Sequence, residues 1–186
     1  DVGREEAWST NFDLFVAPVD GSAAPRNLTA ANKAWDAYPA FSPDGKTLAY
    51  AAMKRPGYEA DRFRIVLRAW PDGTDRVLTE GWDRSPGELT WSPDGKEIFA
   101  TADDIGNHAL FAIDVASGKV RTIVGTGHVV APQADGDRVY GVIRGKPPLF
   151  FDGNAQAFTG LHFHLEDEKF GFYQPVTMKD DPRWID

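Results

Sequence analysis

The chain has 186 residues, of which 42% are hydrophobic and 12% aromatic, so it is long enough to bury a core without a covalent or metal staple. It contains no cysteine, which excludes structural disulfides and thiolate metal sites and fits either the cytoplasm or a bacterial periplasm. The formal net charge of −8 argues against nucleic acid or an anionic membrane as a partner, since either would need a basic face.

We expect no targeting or membrane-spanning segment in these residues. No apolar run approaches the ~20 residues that a membrane span needs, and the residues before the first predicted strand do not have the pattern of a signal peptide. The sequence opens with Asp1 in place of Met, so we expect a processed or truncated start.

Three segments are predicted to be strands that lead into a turn. Each is rich in apolar residues and ends at a pair containing glycine, which is typical of antiparallel strands. These segments are residues 12–19 before Asp20-Gly21, residues 63–70 before Asp72-Gly73, and residues 109–115 before Ser117-Gly118. A short run after each turn is interpreted as the last strand of a four-stranded unit. These runs end near Leu28, Leu78 and Ile123.

An internal repeat organises these strands. The sequence Ser-Pro-Asp-Gly-Lys at residues 42–46 returns 50 residues later at residues 92–96, and Leu28-Thr29 returns as Leu78-Thr79 at the same spacing. A degraded third copy, residues 135–140, keeps the Asp-Gly pair and loses Ser-Pro. An aromatic residue precedes each complete copy, and an apolar strand-like run follows it. Phe41 and residues 47–52 flank the first copy, and Trp91 and residues 97–102 flank the second.

The repeated turn predicts the fold class. Proline fixes φ near −65°, the aspartate side chain caps the turn, and glycine supplies a positive φ, which together favour a tight connection between antiparallel strands. Periods of roughly 40 to 50 residues with several short strands are typical of propeller blades. No segment shows a helical period. We therefore predict an all-β chain, a β-propeller fragment of about three four-stranded blades with an irregular C-terminal segment.

Closed propellers use roughly 4 to 8 blades, so about three blades cannot close a ring. We expect the chain to be part of a larger propeller, in which residues 1–148 form the partial propeller and residues 149–186 a separate, non-repeating segment. That segment holds half of the 12 phenylalanines and has no Asp-Gly turn at blade spacing after Asp152-Gly153. This segment is either a different structural element packed on the propeller or a set of segments that are distant in the parent chain and are joined in this sequence.

Two smaller patterns are considered as candidate binding sites, and the first is a candidate metal site. His162 and His164 lie on one side of a predicted strand with Glu166 and Glu168, and this spacing resembles the first metal motif of cupins. The glycine spacing differs and the second cupin motif is missing, so a metal site at His162, His164 and Glu168, with a third nitrogen from His108 or His128, is a weak alternative to a polar strand face. No other cofactor is expected.

A second pattern is a pair of Trp-Asp dipeptides. Trp35-Asp36 and Trp82-Asp83 stand 47 residues apart, close to the repeat period, and are interpreted as packing positions of the repeat.

Three stretches resemble the propeller of the prolyl oligopeptidase family of serine peptidases. They are AFSPDGKTLAY at residues 40–50, LTWSPDGKEIF at residues 89–99 and LFAID at residues 110–114. The opening EAWSTNFDLF at residues 6–15 is similar to the dipeptidyl-peptidase and acylaminoacyl-peptidase branch. The resemblance covers residues 1 to about 145. Its Ser-Pro-Asp-Gly-Lys element is shared with non-catalytic translocation propellers of bacterial envelopes.

The resemblance implies a parent enzyme whose propeller caps an α/β-hydrolase domain, filters peptide substrates by size and leaves the catalytic triad to the hydrolase. The nucleophile of such a domain stands on a Gly-x-Ser-x-Gly elbow. None of the six serines of this chain has glycine at both −2 and +2, so we expect no catalytic residue here. The expected partners are a peptide substrate and the parent's hydrolase domain, and an oligomer is compatible with the family. The alternative function is a non-catalytic propeller that binds a protein partner.

The resemblance also singles out Glu5 and Glu6. In dipeptidyl peptidases of this family, a glutamate pair on the propeller holds the free amino group of the substrate, which offsets the cost of burying an ammonium. Glu5-Glu6 follows Arg4, which would neutralise one carboxylate, and the acidic and aromatic residues that usually precede the pair are missing. A solvated surface loop is the competing interpretation of these two residues.

Overall fold

The computed structural model describes residues 9–143 and the strand at residues 149–152, and this part of the chain contains thirteen strands and no helix. The strands are β1 (Phe15–Val16), β2 (Arg26–Asn27), β3 (Asp36–Phe41), β4 (Thr47–Ala52), β5 (Arg64–Ala69), β6 (Asp75–Val77), β7 (Pro86–Trp91), β8 (Glu97–Asp104), β9 (Asn107–Asp114), β10 (Val120–Val124), β11 (Val129–Asp135), β12 (Arg138–Ile143) and β13 (Leu149–Asp152). The prediction of an all-β chain is confirmed.

The strands form four antiparallel sheets in chain order. Two complete sheets, β3-β4-β5-β6 and β7-β8-β9-β10, stand between a two-stranded sheet, β1-β2, and a three-stranded sheet, β11-β12-β13. Comparison along the repeat shows that β1 and β2 correspond to the third and fourth strands of a blade, and β11 to β13 to the first three. The predicted propeller fragment of about three blades is confirmed as two whole blades flanked by two partial ones.

The two Ser-Pro-Asp-Gly-Lys turns have the same structure. In both, the serine hydroxyl donates to the aspartate Oδ1, at 2.7 Å for Ser42 and 2.8 Å for Ser92, and accepts the backbone N–H at the start of the next strand, at 2.9 Å. Gly45 and Gly95 have φ of 68° and 70°, the left-handed region that favours glycine. The repeated residues are therefore one turn used twice, as predicted.

The repeated Leu-Thr pair closes the outer part of each blade. Thr29 Oγ1 accepts the N–H of Leu14 at 2.9 Å, and Thr79 Oγ1 accepts the N–H of Ile65 at 2.8 Å. Both threonines are buried, so each supplies a partner to a backbone donor that the sheet ladder leaves unpaired. The 50-residue period of this pair thus has the same physical cause in both blades.

Apolar clusters hold neighbouring sheets together. One cluster between the two complete blades contains Ile65, Leu89, Trp91, Ile98 and Ile113, and smaller clusters join the partial blades to them. The first strands β3, β7 and β11 lie next to each other. Side chains of β7 link them, because Trp91 Nε1 donates to the Ala40 carbonyl at 3.0 Å and Thr90 Oγ1 to the Pro132 carbonyl at 2.7 Å. The sheets therefore converge on their first strands, as blades do.

Two boundaries differ from the sequence-based expectation. The strand predicted at residues 12–19 is shorter, because β1 covers Phe15–Val16 and pairs only with β2 in the described residues. At the other end, β13 pairs with β12, so the last sheet extends four residues beyond position 148. Residues 153–186 lie outside the described residues, and the separate C-terminal segment stays a prediction.

Both tryptophans pack on neighbouring rings, as interpreted, but the two Trp-Asp pairs are not equivalent positions of the repeat. Asp36 is buried at the start of β3, whereas the Asp83 side chain is 80% exposed in the connection before β7. Their spacing of 47 residues approaches the period by coincidence, since the position that corresponds to Trp35 in the next blade is Ser85, 50 residues on. Trp82 packs instead on Phe111, with ring centroids 5.1 Å apart.

Candidate functional site

The candidate site lies at one end of the blades. Because neighbouring strands are antiparallel, the first and third strands of a sheet run in the same direction and begin at the same end. We call this the strand-start end. The Ser-Pro-Asp-Gly-Lys turns follow first strands and therefore lie at the opposite end.

At the strand-start end, adjacent blades meet in three equivalent pairs of residues, which we call seams. In each seam, a residue at the start of a third strand meets the residue just before the first strand of the next blade. The first member of each pair stands two positions before a buried residue, namely Leu14, Ile65 or Leu110. Phe12 and Trp35 form an isolated parallel bridge, as do His108 and His128. In the middle seam, the N–H of Phe63 donates to Ser85 Oγ at 3.1 Å. The three seams are Phe12/Trp35, Phe63/Ser85 and His108/His128.

The first seam belongs to an exposed aromatic cluster, which consists of Phe12, Trp35, Tyr38 and Phe63. Ring centroids lie 4.6 Å apart for Phe12 and Trp35, 5.7 Å for Trp35 and Phe63, and 6.1 Å for Tyr38 and Phe63. The exposed fractions are 54% for Phe12, 36% for Trp35 and 42% for Tyr38. Contiguous exposed aromatic rings in a folded protein mark a surface that contacts another molecule. This cluster is the described surface best suited to bind an apolar group.

The bulge in β3 contributes one of these rings. The register of β3 shifts between Ala37 and Ala40, and Tyr38 at that point has a φ of 54°, although it is neither glycine nor asparagine. Ala131, at the corresponding position of β11, has a φ of 50°. The left-handed conformation thus recurs in two of the three described first strands, since Glu88 at the corresponding position of β7 lacks it, and in β3 it carries a large exposed side chain.

The third seam contains the two histidines. Their rings stack with centroids 4.7 Å apart, and His108 Nδ1 lies 2.7 Å from Asp103 Oδ1. The connection before β11 is tied down at the same place, because the N–H of His108 donates to the Gly127 carbonyl and the N–H of Gly127 to Asn107 Oδ1. Stacked imidazoles do not direct their nitrogens at one point. Within residues 9–143, no three histidine, cysteine or acidic side chains are arranged to hold a metal ion.

A buried carboxyl lies behind the aromatic cluster. Asp36 is 3% exposed; its Oδ1 accepts from Asn32 Nδ2 at 2.9 Å, whereas its Oδ2 has no hydrogen-bond partner. Burial raises the pKa of Asp36 to about 6, against the lowering effect of the hydrogen bond from Asn32. The backbone N–H of Asp36 donates to the Phe12 carbonyl at 2.8 Å, which connects this residue to the first seam.

The residues singled out from the sequence lie elsewhere. Glu5 and Glu6 lie outside the described residues, as do His162, His164 and Glu168, so their roles stay predictions. His108 and His128, considered as donors to that metal site, are paired with each other instead. No helix in the described part of the chain has the length and apolar character of a membrane span.

Sequence reasoning missed the aromatic cluster. A signal was present, since Phe12 and Phe63 stand 51 residues apart, close to the repeat period, and each is the first residue of a predicted strand. The pairing of Phe12 with Trp35 required the neighbouring blade to be placed, which spacing alone does not do.

Comparisons with known proteins agree with this architecture. No protein-family model matches the chain. The chain is 31% identical over 122 residues to dipeptidyl-peptidase 5 of Porphyromonas gingivalis, and the match covers 66% of this chain and 18% of that protein. The chain therefore spans less than a fifth of the length of this relative.

Solved structures show the same fold. TolB from Acinetobacter baumannii superimposes with a TM-score of 0.61 at 27% identity, over 84% of this chain and 39% of that one. Puromycin hydrolase superimposes with a TM-score of 0.59 at 20% identity, over 78% of this chain and 25% of that one. At the lower identity, the likeness concerns the fold alone.

Proposed function

We propose a function from the premise that this chain belongs to the prolyl oligopeptidase family, of which it is a β-propeller fragment. In this proposal the chain is the part of a serine peptidase that controls the access of short peptides to a catalytic α/β-hydrolase domain located elsewhere in the parent protein. The observation that carries the proposal is the exposed aromatic cluster at the strand-start end, because it offers an approaching peptide a rigid apolar surface. The sequence relationship to a dipeptidyl-peptidase supports the choice of substrate class.

The serines of the described region support a catalytic centre outside it. Ser42 and Ser92 are buried in the repeated turns, where their hydroxyls donate to Asp44 and Asp94. Ser85 accepts the Phe63 N–H, and none of the three stands beside a histidine in the hydrogen bonds of residues 9–143. An activated serine needs a general base and an oxyanion hole, so these side chains serve the fold.

The proposal gives Glu5 and Glu6 the task of holding the free amino group of the substrate. Replacing Glu6 with Gln in the complete protein would remove a charge-assisted hydrogen bond worth roughly 1.5 to 3 kcal/mol. We expect kcat/KM for dipeptidyl substrates with a free amino terminus to fall about 10- to 150-fold. Substrates with a blocked amino terminus, assayed on the same variant, should keep their rates. Equal losses for both substrate types would indicate a folding defect and contradict the assignment.

We also consider a second function, because the chain is 27% identical to TolB across most of its length. It is a non-catalytic propeller that binds a protein partner. A serine-directed phosphonate separates the two functions when it is added to the complete protein. Covalent labelling together with loss of dipeptidyl turnover supports the peptidase, whereas no labelling and no turnover favour the binding propeller.

A further inference from the structure

The aromatic pair Phe12/Trp35 at the centre of the cluster is a feature of one seam and not of the repeat. The middle seam replaces the partner of Phe63 with Ser85, and the third has His108 and His128. The propeller core does not require two large apolar rings at these positions, because the middle seam pairs Phe63 with Ser85 and the third pairs two polar imidazoles. The rings of Phe12 and Trp35 therefore have a role beyond joining blades.

The backbone beneath the cluster is fixed. Trp35 O accepts the N–H of Met53 at 2.8 Å, and Gly57 N–H donates to Thr10 Oγ1 at 2.9 Å, so the loop of residues 53–63 is anchored on both sides of the cluster. Tyr38 stands on a left-handed bulge before Pro39. Side chains held in unfavourable backbone conformations cost free energy and are concentrated at sites that bind ligands.

The charges beside the cluster are basic on an acidic chain. Lys33, Lys54 and Arg55 are exposed, and in the described residues none forms an ion pair with a carboxylate, although the net charge of the chain is −8. Asp61 is already occupied, because its Oδ2 accepts the N–H groups of Lys54 and Arg55 at 2.7 and 2.8 Å. Lys33 Nζ donates to the Ala30 carbonyl at 2.6 Å and the Arg55 guanidinium lies 4.0 Å over the Tyr58 ring, so neither charge is neutralised by an acid of the described residues. The three cations flank residues of the aromatic cluster along the chain, and Glu59 is the one exposed acid of the same loop.

We propose that this surface, formed by the aromatic cluster and the cations Lys33, Lys54 and Arg55, binds acidic peptides that carry a large apolar side chain. The apolar side chain lies on the rings of Trp35 and Tyr38, and flanking carboxylates face the cations. This inference deepens the proposed function and rests on it for the identity of the peptide as a substrate. The binding itself is independent of any catalytic step.

The test measures peptide binding to the complete protein, with the active-site serine blocked by a phosphonate where one is labelled. The probe is a fluorescent six-residue peptide with one Phe between two Glu residues, and its analogues carry Phe→Ala or Glu→Lys. Fluorescence anisotropy should show that each analogue binds at least about 10-fold more weakly than the parent peptide. The affinity of the parent peptide should also fall as salt is raised, because exposed charges are screened.

Variants locate the surface. Tyr38→Ala removes an exposed ring, and the pair Lys54→Glu and Arg55→Glu reverses two charges; each should weaken the parent peptide about 10-fold or more. Lys46→Glu is the matched control, since Lys46 belongs to the same blade but lies in the turn at the opposite end. Its affinity should stay within about twofold of the wild-type protein. Circular dichroism of each variant checks that the fold is retained.

The outcomes separate this inference from the proposed function. Tight binding of the parent peptide without turnover by the unblocked protein would support the surface and refute the peptidase. Turnover of dipeptidyl substrates with equal binding of the Glu and Lys peptides would refute the surface and leave the peptidase standing. A loss with Lys46→Glu as large as that of the charge-reversed pair would also overturn the inference.

Discussion

Asp36 is a buried acid whose second carboxylate oxygen has no partner, and this makes the stability of the fold depend on pH. Its pKa of about 6 lies above the ordinary value of 3.8, so the folded state binds more protons than the unfolded state between about pH 4 and 6. The free energy of unfolding must therefore decrease as the pH rises through this window. Above about pH 6 the folded protein carries a buried charge, whose burial the hydrogen-bonding side chains of Asn32 and Thr29 only partly offset.

Replacing Asp36 with Asn should remove this dependence. A shift of about two pKa units corresponds to about 3 kcal/mol. Between pH 4 and 7, the unfolding free energy of the wild-type protein should therefore fall by up to that amount, whereas that of the variant should not fall for this reason. Urea unfolding at a series of pH values measures the difference. Asp83→Asn is the control, because Asp83 also follows a tryptophan but is exposed. Parallel pH profiles of wild type and Asp36→Asn would disprove the assignment.

At the scale of the elements, the tight turns differ in how closely a neighbouring blade approaches them. Gly45 and Gly118 have similar φ values, 68° and 71°, but a Cβ at Gly45 would meet open space. A Cβ at Gly118 would lie 2.4 Å from the carbonyl oxygen of Leu78 in the preceding sheet. The second turn is thus also a contact between blades.

Alanine substitutions at these two glycines form a matched pair. Gly45→Ala should cost about 1–2 kcal/mol of unfolding free energy, the penalty of the left-handed conformation for a residue with a Cβ. Gly118→Ala should cost roughly 1–3 kcal/mol more, since the Leu78 carbonyl must move to admit the methyl group. Chemical denaturation of the two variants compares these costs directly. Equal losses of unfolding free energy in the two variants would mean that the Leu78 carbonyl moves away from the added methyl group without destabilising the protein.

These elements also show how far sequence reasoning reached. Turns are local, so Ser42–Lys46 and Ser92–Lys96 predicted both their structure and the blade period, and β4 begins and ends where the apolar run at residues 47–52 predicts. Contacts between blades are not local. The pairing of Phe12 with Trp35 and the burial of Asp36 depend on how two sheets meet, and no spacing in the sequence encodes it.

At the scale of the whole molecule, the His108/His128 seam joins the last two sheets through side chains. The two imidazole rings stack with centroids 4.7 Å apart, and Asp103 Oδ1 lies 2.7 Å from Nδ1 of His108. The neighbouring Asp104 is engaged by Arg84 at 2.7 Å.

Replacing this pair by the residues of the first seam, as His108→Phe with His128→Trp, should preserve the junction, because Phe12 and Trp35 make the corresponding ring contact in the first seam. Since an aromatic pair contributes about 0.5–1.5 kcal/mol beyond its buried area, the unfolding free energy should change by no more than about 1 kcal/mol. Thermal unfolding of the two proteins measures the difference. A much larger loss in the double variant would show that the third seam cannot accept the residues of the first.

The seams have an evolutionary consequence. Each joins two positions in different blades, and the three pairs hold unrelated chemistry while the turns and the Leu-Thr pairs of the same blades are repeated. A substitution at one member changes the environment of its partner directly, so selection acts on the two together, and the Trp35–Phe63 contact also couples the first two seams. Among descendants of a common ancestor, positions 12 and 35, 63 and 85, and 108 and 128 should covary in pairs. In such a propeller, the surface at one junction between blades can change through substitution of two residues, while the repeated turns and Leu-Thr pairs stay the same.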